Sequence, residues 1–198
     1  DIIRKPAYLI HIDFHADFLS PHSEIDVHIS SSGIKDLINN RTIRFDNFIK
    51  IALSLGIVKN IDFCCLPHFS HPFWTTAKSR IAHGFDVSPF KNYVSPIDLL
   101  KHVKGHDQSG VLDMILDIDL DFFVDFKSDI IRLKENSKII EEIKAINELF
   151  KLAKITTVCT SHDWSWQKEQ RERVQKIFSE QFSVKIDFSR SPEQIYGL

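Results

Sequence analysis

The sequence predicts an α/β domain of three layers, a mainly parallel sheet with helices on both faces, and three observations lead there. Short runs of β-forming residues alternate with longer segments of helical spacing along the chain, the signature of crossover connections and a parallel sheet. Two of those runs, at 8–15 and 111–123, are apolar apart from interspersed aspartates and histidines, as strands buried on both faces are. At 198 residues and 43% hydrophobic content, the chain has the size of one such domain. No repeat, low-complexity tract or linker divides it, so residues 1–198 read as a single domain.

The first strand is read from Tyr8-Leu9-Ile10 into His11-Ile12-Asp13-Phe14-His15, an apolar run ending in polar residues. A Ser-rich polar stretch follows. Helical spacing then predicts a helix over 46–56, with Asp46 placed to cap it and Gly56 to end it. Residues 57–66 read as a second strand stopped by Pro67, and an aromatic loop carrying His68, His71, Trp74 and His83 comes next. A short helix over 96–104 precedes 111–123, the candidate central strand. Ile130, Ile131, Leu133, Ile139, Ile140, Ile143, Ile146, Leu149 and Phe150 recur at helical spacing and predict the longest helix, over 128–153. A strand over 155–160, a charged amphipathic helix over 167–182 and a candidate edge strand over 184–188 complete the series.

Charge and cysteine content narrow the function. With 25 basic against 27 acidic residues, no global field marks the chain for nucleic acid or a membrane surface. No apolar run approaches the roughly 20 residues of a membrane span, and no basic-then-apolar leader opens the chain. The odd number of cysteines, Cys64, Cys65 and Cys159, with two adjacent, predicts free, buried thiols in a reducing, cytoplasmic setting. Oligomeric state is not legible.

Chemistry concentrates at two strand ends. Asp13, His15 and Asp17 occupy every second position where the first strand runs out, and Asp117, Asp119 and Asp121 repeat the spacing at the end of the central strand. Either triplet alone could be a capped strand end, its carboxylates satisfying loop amides. Both together would bury several ionised carboxylates in an apolar sheet, at several kcal/mol or more for each unpaired charge. Cations remove that cost. Carboxylate-rich ligation without thiolate suits Mn²⁺ better than a structural zinc, and two ions better than one. His11 shares the face of Asp13 but lies deeper and reads as a packed core histidine; Asp117 faces the same choice. Asp113, near the strand start, reads as a solvated or capping residue.

Asp13-Phe14-His15-Ala16-Asp17 resembles the Asp-x-His-x-Asp motif of the arginase-type ureohydrolases, and Asp119-Leu120-Asp121 their later Asp-x-Asp. In that family two Mn²⁺ ions share a hydroxide that attacks the guanidinium carbon and releases urea. The resemblance implies an arginase/deacetylase-like fold, with Asp13 and Asp119 bridging both ions, His15 and Asp121 on one, and Asp17 on the other. The chain is more similar still to a short, divergent branch that includes the peptide arginases. Its Asp-x-His-x-Asp start, its helix motif seen here as Asn47-Phe48-Ile49, and its Asp-x-Asp-Phe-Phe strand are all present over roughly 7–165. Members of that branch convert arginine in a ribosomally made precursor peptide to ornithine.

Three departures from the longer arginases matter. Their upstream Gly-Gly-Asp-His segment, the source of a histidine ligand, has no counterpart here; His162 in Thr160-Ser161-His162-Asp163 is the preferred substitute and His106 the alternative. Their substrate-orienting glutamate is also unmatched, but Asp163 stands near that place and could grip a guanidinium bidentately. The segment that binds the free amino acid's backbone groups is not recognisable, which favours a residue within a larger chain. The expected function is therefore Mn²⁺-dependent hydrolysis of arginine in a precursor peptide, with Asp17, His162 and Asp163 next to the reaction. Proton relay would fall to His28, His68, His71 or His83, and the aromatic loop at 69–74 could wall a peptide groove. Other readings are a deacetylase or small guanidino-compound hydrolase of the same fold, a phosphoesterase, or a non-catalytic peptide-binding module.

Overall fold

A computed structural model describes residues 6–15, 17, 31–44, 47–65, 81–82, 85–86, 91–106, 113–127, 130–160 and 167–186. In chain order the elements are β1 (Ala7–Asp13), α1 (Ser31–Asn39), α2 (Phe48–Ser54), β2 (Val58–Cys65), β3 (Ile81–Ala82), β4 (Phe85–Asp86), β5 (Lys91–Asn92), α3 (Pro96–His106), β6 (Met114–Asp119), β7 (Val124–Lys127), β8 (Ile130–Leu133), α4 (Asn136–Leu152), β9 (Ile155–Cys159) and α5 (Lys168–Gln181). A 3-10 turn, Leu120–Phe123, joins β6 to β7.

The main sheet runs β5-β2-β1-β6-β9, and all its neighbouring strands are parallel. The chain builds outward from β1 through β2 to β5, then returns to the other side of β1 for β6 and β9. That reversal makes the carboxyl ends of β1 and β6 the switch point of the sheet, the place where parallel α/β sheets generally bind ligands.

Helices cover both faces. On one, Ile10, Ile12, Phe14, Leu116 and Ile118 pack with Leu99 and Val103 of α3, Ile139, Ile143, Ile146 and Leu149 of α4, and Val174, Ile177 and Phe178 of α5. On the other, Leu9, Ile61, Phe63 and Cys65 pack under α2 through Phe48, Ile49, Ala52 and Leu53. Alternation along β1 thus sends its even-numbered residues into the larger core and Leu9, His11 and Asp13 toward the smaller one. Within the larger core, the Lys134 ammonium lies 3.1 Å from the Glu142 carboxylate and 3.6 Å above the Phe122 ring centroid.

Several sequence expectations need correction. The central strand stops at Asp119 rather than 123, because Asp119 caps the 3-10 turn by accepting from the Asp121 N–H at 3.3 Å. Val124–Lys127 and Ile130–Leu133 pair antiparallel as β7 and β8, and the helix expected from 128 begins at Asn136. A four-residue apolar run satisfies strand and helix spacing alike. The Ser-rich stretch contains α1, and the described part of the expected edge strand, 184–186, is not a strand.

Helix α2 ends as expected. Gly56 takes a left-handed backbone (φ 66°), and Gly56 and Ile57 donate to the Leu53 and Ala52 carbonyls, a Schellman closure. Its start differs. Asn47 holds the N-cap position, but its buried amide instead bonds Arg44 N and Thr42 O, tying down the preceding loop; Asp46 lies outside the described residues. Cys64 and Cys65 are buried free thiols, while Cys159 is exposed, contrary to expectation. Among the described residues no helix is long and apolar enough to cross a membrane.

Candidate metal centre

Strand register assembles the site. Thr157 of β9, Asp117 of β6, His11 of β1 and Phe63 of β2 are paired in sequence across four neighbouring strands. Two residues further on, at the strand ends, Asp13 pairs with Cys65 and Asp119 with Cys159. Side chains two apart share a face, so His11 and Asp13 project together on the α2 side of the sheet. The Phe48 and Phe63 rings meet the His11 ring edge-on, with centroids 6.0 and 5.9 Å away.

Backbone amides fix the carboxylates. Asp13 Oδ1 accepts from His15 N at 3.0 Å, and Asp121 Oδ1 accepts from Phe14 N at 3.1 Å, which locks the loop after β1 onto the turn after β6. The Cys65 thiol donates to the His15 carbonyl at 2.7 Å and holds the same loop from the β2 side. The second oxygens face inward. Asp13 Oδ2 lies 3.3 Å from His11 Nε2, and Asp121 Oδ2 lies 3.4 Å from His15 Nδ1. Two ligand trios result, His11 with Asp13 and Asp17, and Asp13 with His15 and Asp121, the donor atoms within each trio lying within 4.8 Å of one another. Asp13 belongs to both, in keeping with a bridging carboxylate. Asp17 reaches its trio on a left-handed backbone (φ 44°), a conformation Asp tolerates better than most residues and one that concentrates at functional sites.

Of the residues singled out from sequence, the structure brings together Asp13, His15, Asp17 and Asp121. Asp119 stands outside both trios and, as cap of the 3-10 turn, orients Asp121. His162 and Asp163 lie outside the described residues, as do His28, His68, His71, His83 and the His106 side chain. His11, read as a packed core histidine, stands within a trio. Asp117 supports it, accepting at Oδ2 from His11 Nδ1 at 2.8 Å and at Oδ1 from the Thr157 hydroxyl. Asp113 pairs with Lys154 at the far end of the strand.

The electrostatics are those of a site short of positive charge. Burial, then the charge of Asp13, pushes the Asp17 carboxyl up to about 8. Burial also drives Asp121 well above the usual carboxylate range. Burial works to lower the His15 pKa, but Asp121 and Asp13 outweigh it and raise it to about 10; Asp117 and Asp13 do the same for His11, which ends well above its ordinary value. For Asp13, the nearby imidazoles of His11 and His15 outweigh burial and hold the carboxyl below its ordinary range. Every one of these shifts except that of Asp13 favours the protonated form.

The donors suit a divalent ion. Oxygen donors with imidazole could hold one, and among the described residues Asp121 Oδ2 and His11 Nε2 are buried without a hydrogen-bond partner. No protein-family model matches the chain, and no curated protein matches it.

Proposed function

We propose that the chain is a metal-dependent hydrolase of arginase-like fold that converts arginine side chains of a precursor peptide to ornithine, with release of urea. One observation carries the reading: the Asp13-x-His15-x-Asp17 and Asp119-x-Asp121 segments converge at the switch point of a parallel sheet, with inward-facing donor atoms held ready. Asp13, His15, Asp17, Asp119 and Asp121 are the proposed ligands, and Mn²⁺ the proposed ion, as a pair. Held by these residues, divalent cations would neutralise the carboxylates and would supply an acidified water as nucleophile near neutral pH.

The protein's own groups do the rest. Asp13 and Asp121, fixed by the amides of His15 and Phe14, present oxygens that do not move when charge develops. The Phe48 and Phe63 rings and the apolar floor of the sheet keep bulk water from the deep side. In the reaction, water adds to the guanidinium carbon, the bond from that carbon to the side-chain nitrogen breaks, and the water's proton passes to the departing amine. His162 and Asp163 remain the proposed additional ligand and guanidinium anchor.

The test combines metal content with urea release, comparing arginine-containing peptides and free arginine on Mn²⁺-loaded protein. The expected result is about two ions per chain, and urea from peptides that Asp119→Asn lowers by at least about 100-fold. Metal uptake without urea from any guanidino substrate would overturn the activity while leaving the metal centre in place.

A further inference from the structure

We propose that His11 binds the second cation through Nε2, alongside Asp13 and Asp17, and that Asp117 and Thr157 hold its ring for that purpose. This rests on the metal centre proposed above but not on the guanidino substrate.

The argument is geometric. His11 is 1% exposed, and among the described residues its Nε2 makes no hydrogen bond. That nitrogen lies 3.3 Å from Asp13 Oδ2 and within 4.8 Å of a donor atom of Asp17. The opposite ring nitrogen, Nδ1, lies 2.8 Å from Asp117 Oδ2, and Thr157 donates to the other oxygen of the same carboxylate. A hydroxyl, a carboxylate and an imidazole thus stand in series across β9, β6 and β1. Such a series keeps the proton on Nδ1, leaves the Nε2 lone pair free, and makes the imidazole a stronger base, as carboxylates behind metal-bound histidines do. The Phe48 and Phe63 rings fix the plane of the imidazole from the other sides. Asp117 and Thr157 are positioning residues, since neither contributes to a trio.

A purely structural His11 would serve Asp117 through Nδ1 and need nothing from Nε2, and the two roles separate by substitution. Asn in place of His sets its amide nitrogen near the position of Nδ1, so His11→Asn keeps the bond to Asp117 and deletes the ligand. Mn²⁺ content after dialysis and the Mn²⁺ EPR spectrum are the readouts, with thermal unfolding in chelator as the check of folding. The parent is expected to hold about two ions with a spin-coupled spectrum, and His11→Asn about one with a single-ion spectrum. Asp117→Ala should weaken the second ion about 10–100-fold, and Asp117→Asn, which keeps an acceptor, far less. A folded His11→Asn variant holding two ions at parental affinity overturns the proposal. So does a parent that takes up no Mn²⁺, Co²⁺ or Zn²⁺, which would remove the metal centre as well. Intact metal counts without urea release would count against the substrate alone.

Discussion

Two buried charged groups in this molecule have opposite designs. Lys134 and Glu142, each about 1% exposed, form a closed pair: one cation, one anion, with the ammonium seated on the Phe122 ring. At the strand ends, Asp13, Asp17 and Asp121 gather about the imidazoles of His11 and His15, and among the described residues Asp121 Oδ2 and His11 Nε2 have no hydrogen-bond partner. One turn connects the two, since Asp121 joins the cluster and the adjacent Phe122 lies under Lys134. A fold satisfies its own charges when they serve architecture. A buried surplus of one sign has no such architectural use, and it is the condition under which a cation would be held.

The sharpest way to break the comparison is to remove one member of the closed pair. Lys134→Ala or Glu142→Ala should cost about 3–5 kcal/mol in denaturant unfolding, because each strands a buried charge, whereas Lys134→Met with Glu142→Leu should come close to the parent or exceed it. Mn²⁺ should leave these differences unchanged. At the open cluster the ion itself should stabilise: about 2.7 kcal/mol at a concentration 100 times its dissociation constant, read as a rise in Tm that Asp121→Asn abolishes. An equal rise in that variant would place the ion elsewhere.

The smallest expected effect is a trend with pH. In chelator, His15 (about 10 in the fold, ordinarily 6.5) and Asp17 (about 8, ordinarily 3.8) both bind protons more tightly folded than unfolded. Their contribution is complete below the ordinary values and is lost as pH rises through the folded ones. Tm of the metal-free protein should therefore fall between about pH 6 and 9, and Mn²⁺ should flatten that fall by taking the place of the protons. A metal-free Tm that rises over this range would contradict the assigned environments.

Much of this was legible in the sequence, for identifiable reasons. Strands β1, β2, β6 and β9 and helices α2 to α5 announce themselves because buried parallel strands are continuously apolar and the covering helices keep a one-sided stripe. Helix α1 was hidden by its serines and glycine, although Ile34, Leu37 and Ile38 carry the spacing that could have revealed it. Alternation placed Asp13 on the face of the candidate site, whereas His15, Asp17 and Asp121 lie past the strand ends and are brought in by the loop after β1 and the 3-10 turn after β6. The setting of His11 was not legible. Its partner Asp117 is 106 residues away, and their meeting depends on a β1–β6 register that no local pattern encodes. Thr157 escaped for the same reason, one strand further out.

The central position of β1 has a consequence for how the chain acquires its structure. Its partner on one side, β2, comes within about 50 residues, but the other edge stays open until β6 at residues 114–119 has been made. A nascent or partly folded chain therefore exposes the unpaired edge of Ala7–Asp13, mostly apolar and aromatic until its last residues, for as long as that loop takes to close. His11 and Asp13, the polar exceptions on that strand, sit where a stray strand would otherwise add on, so the residues that build the candidate site also discourage mispairing while it is unformed.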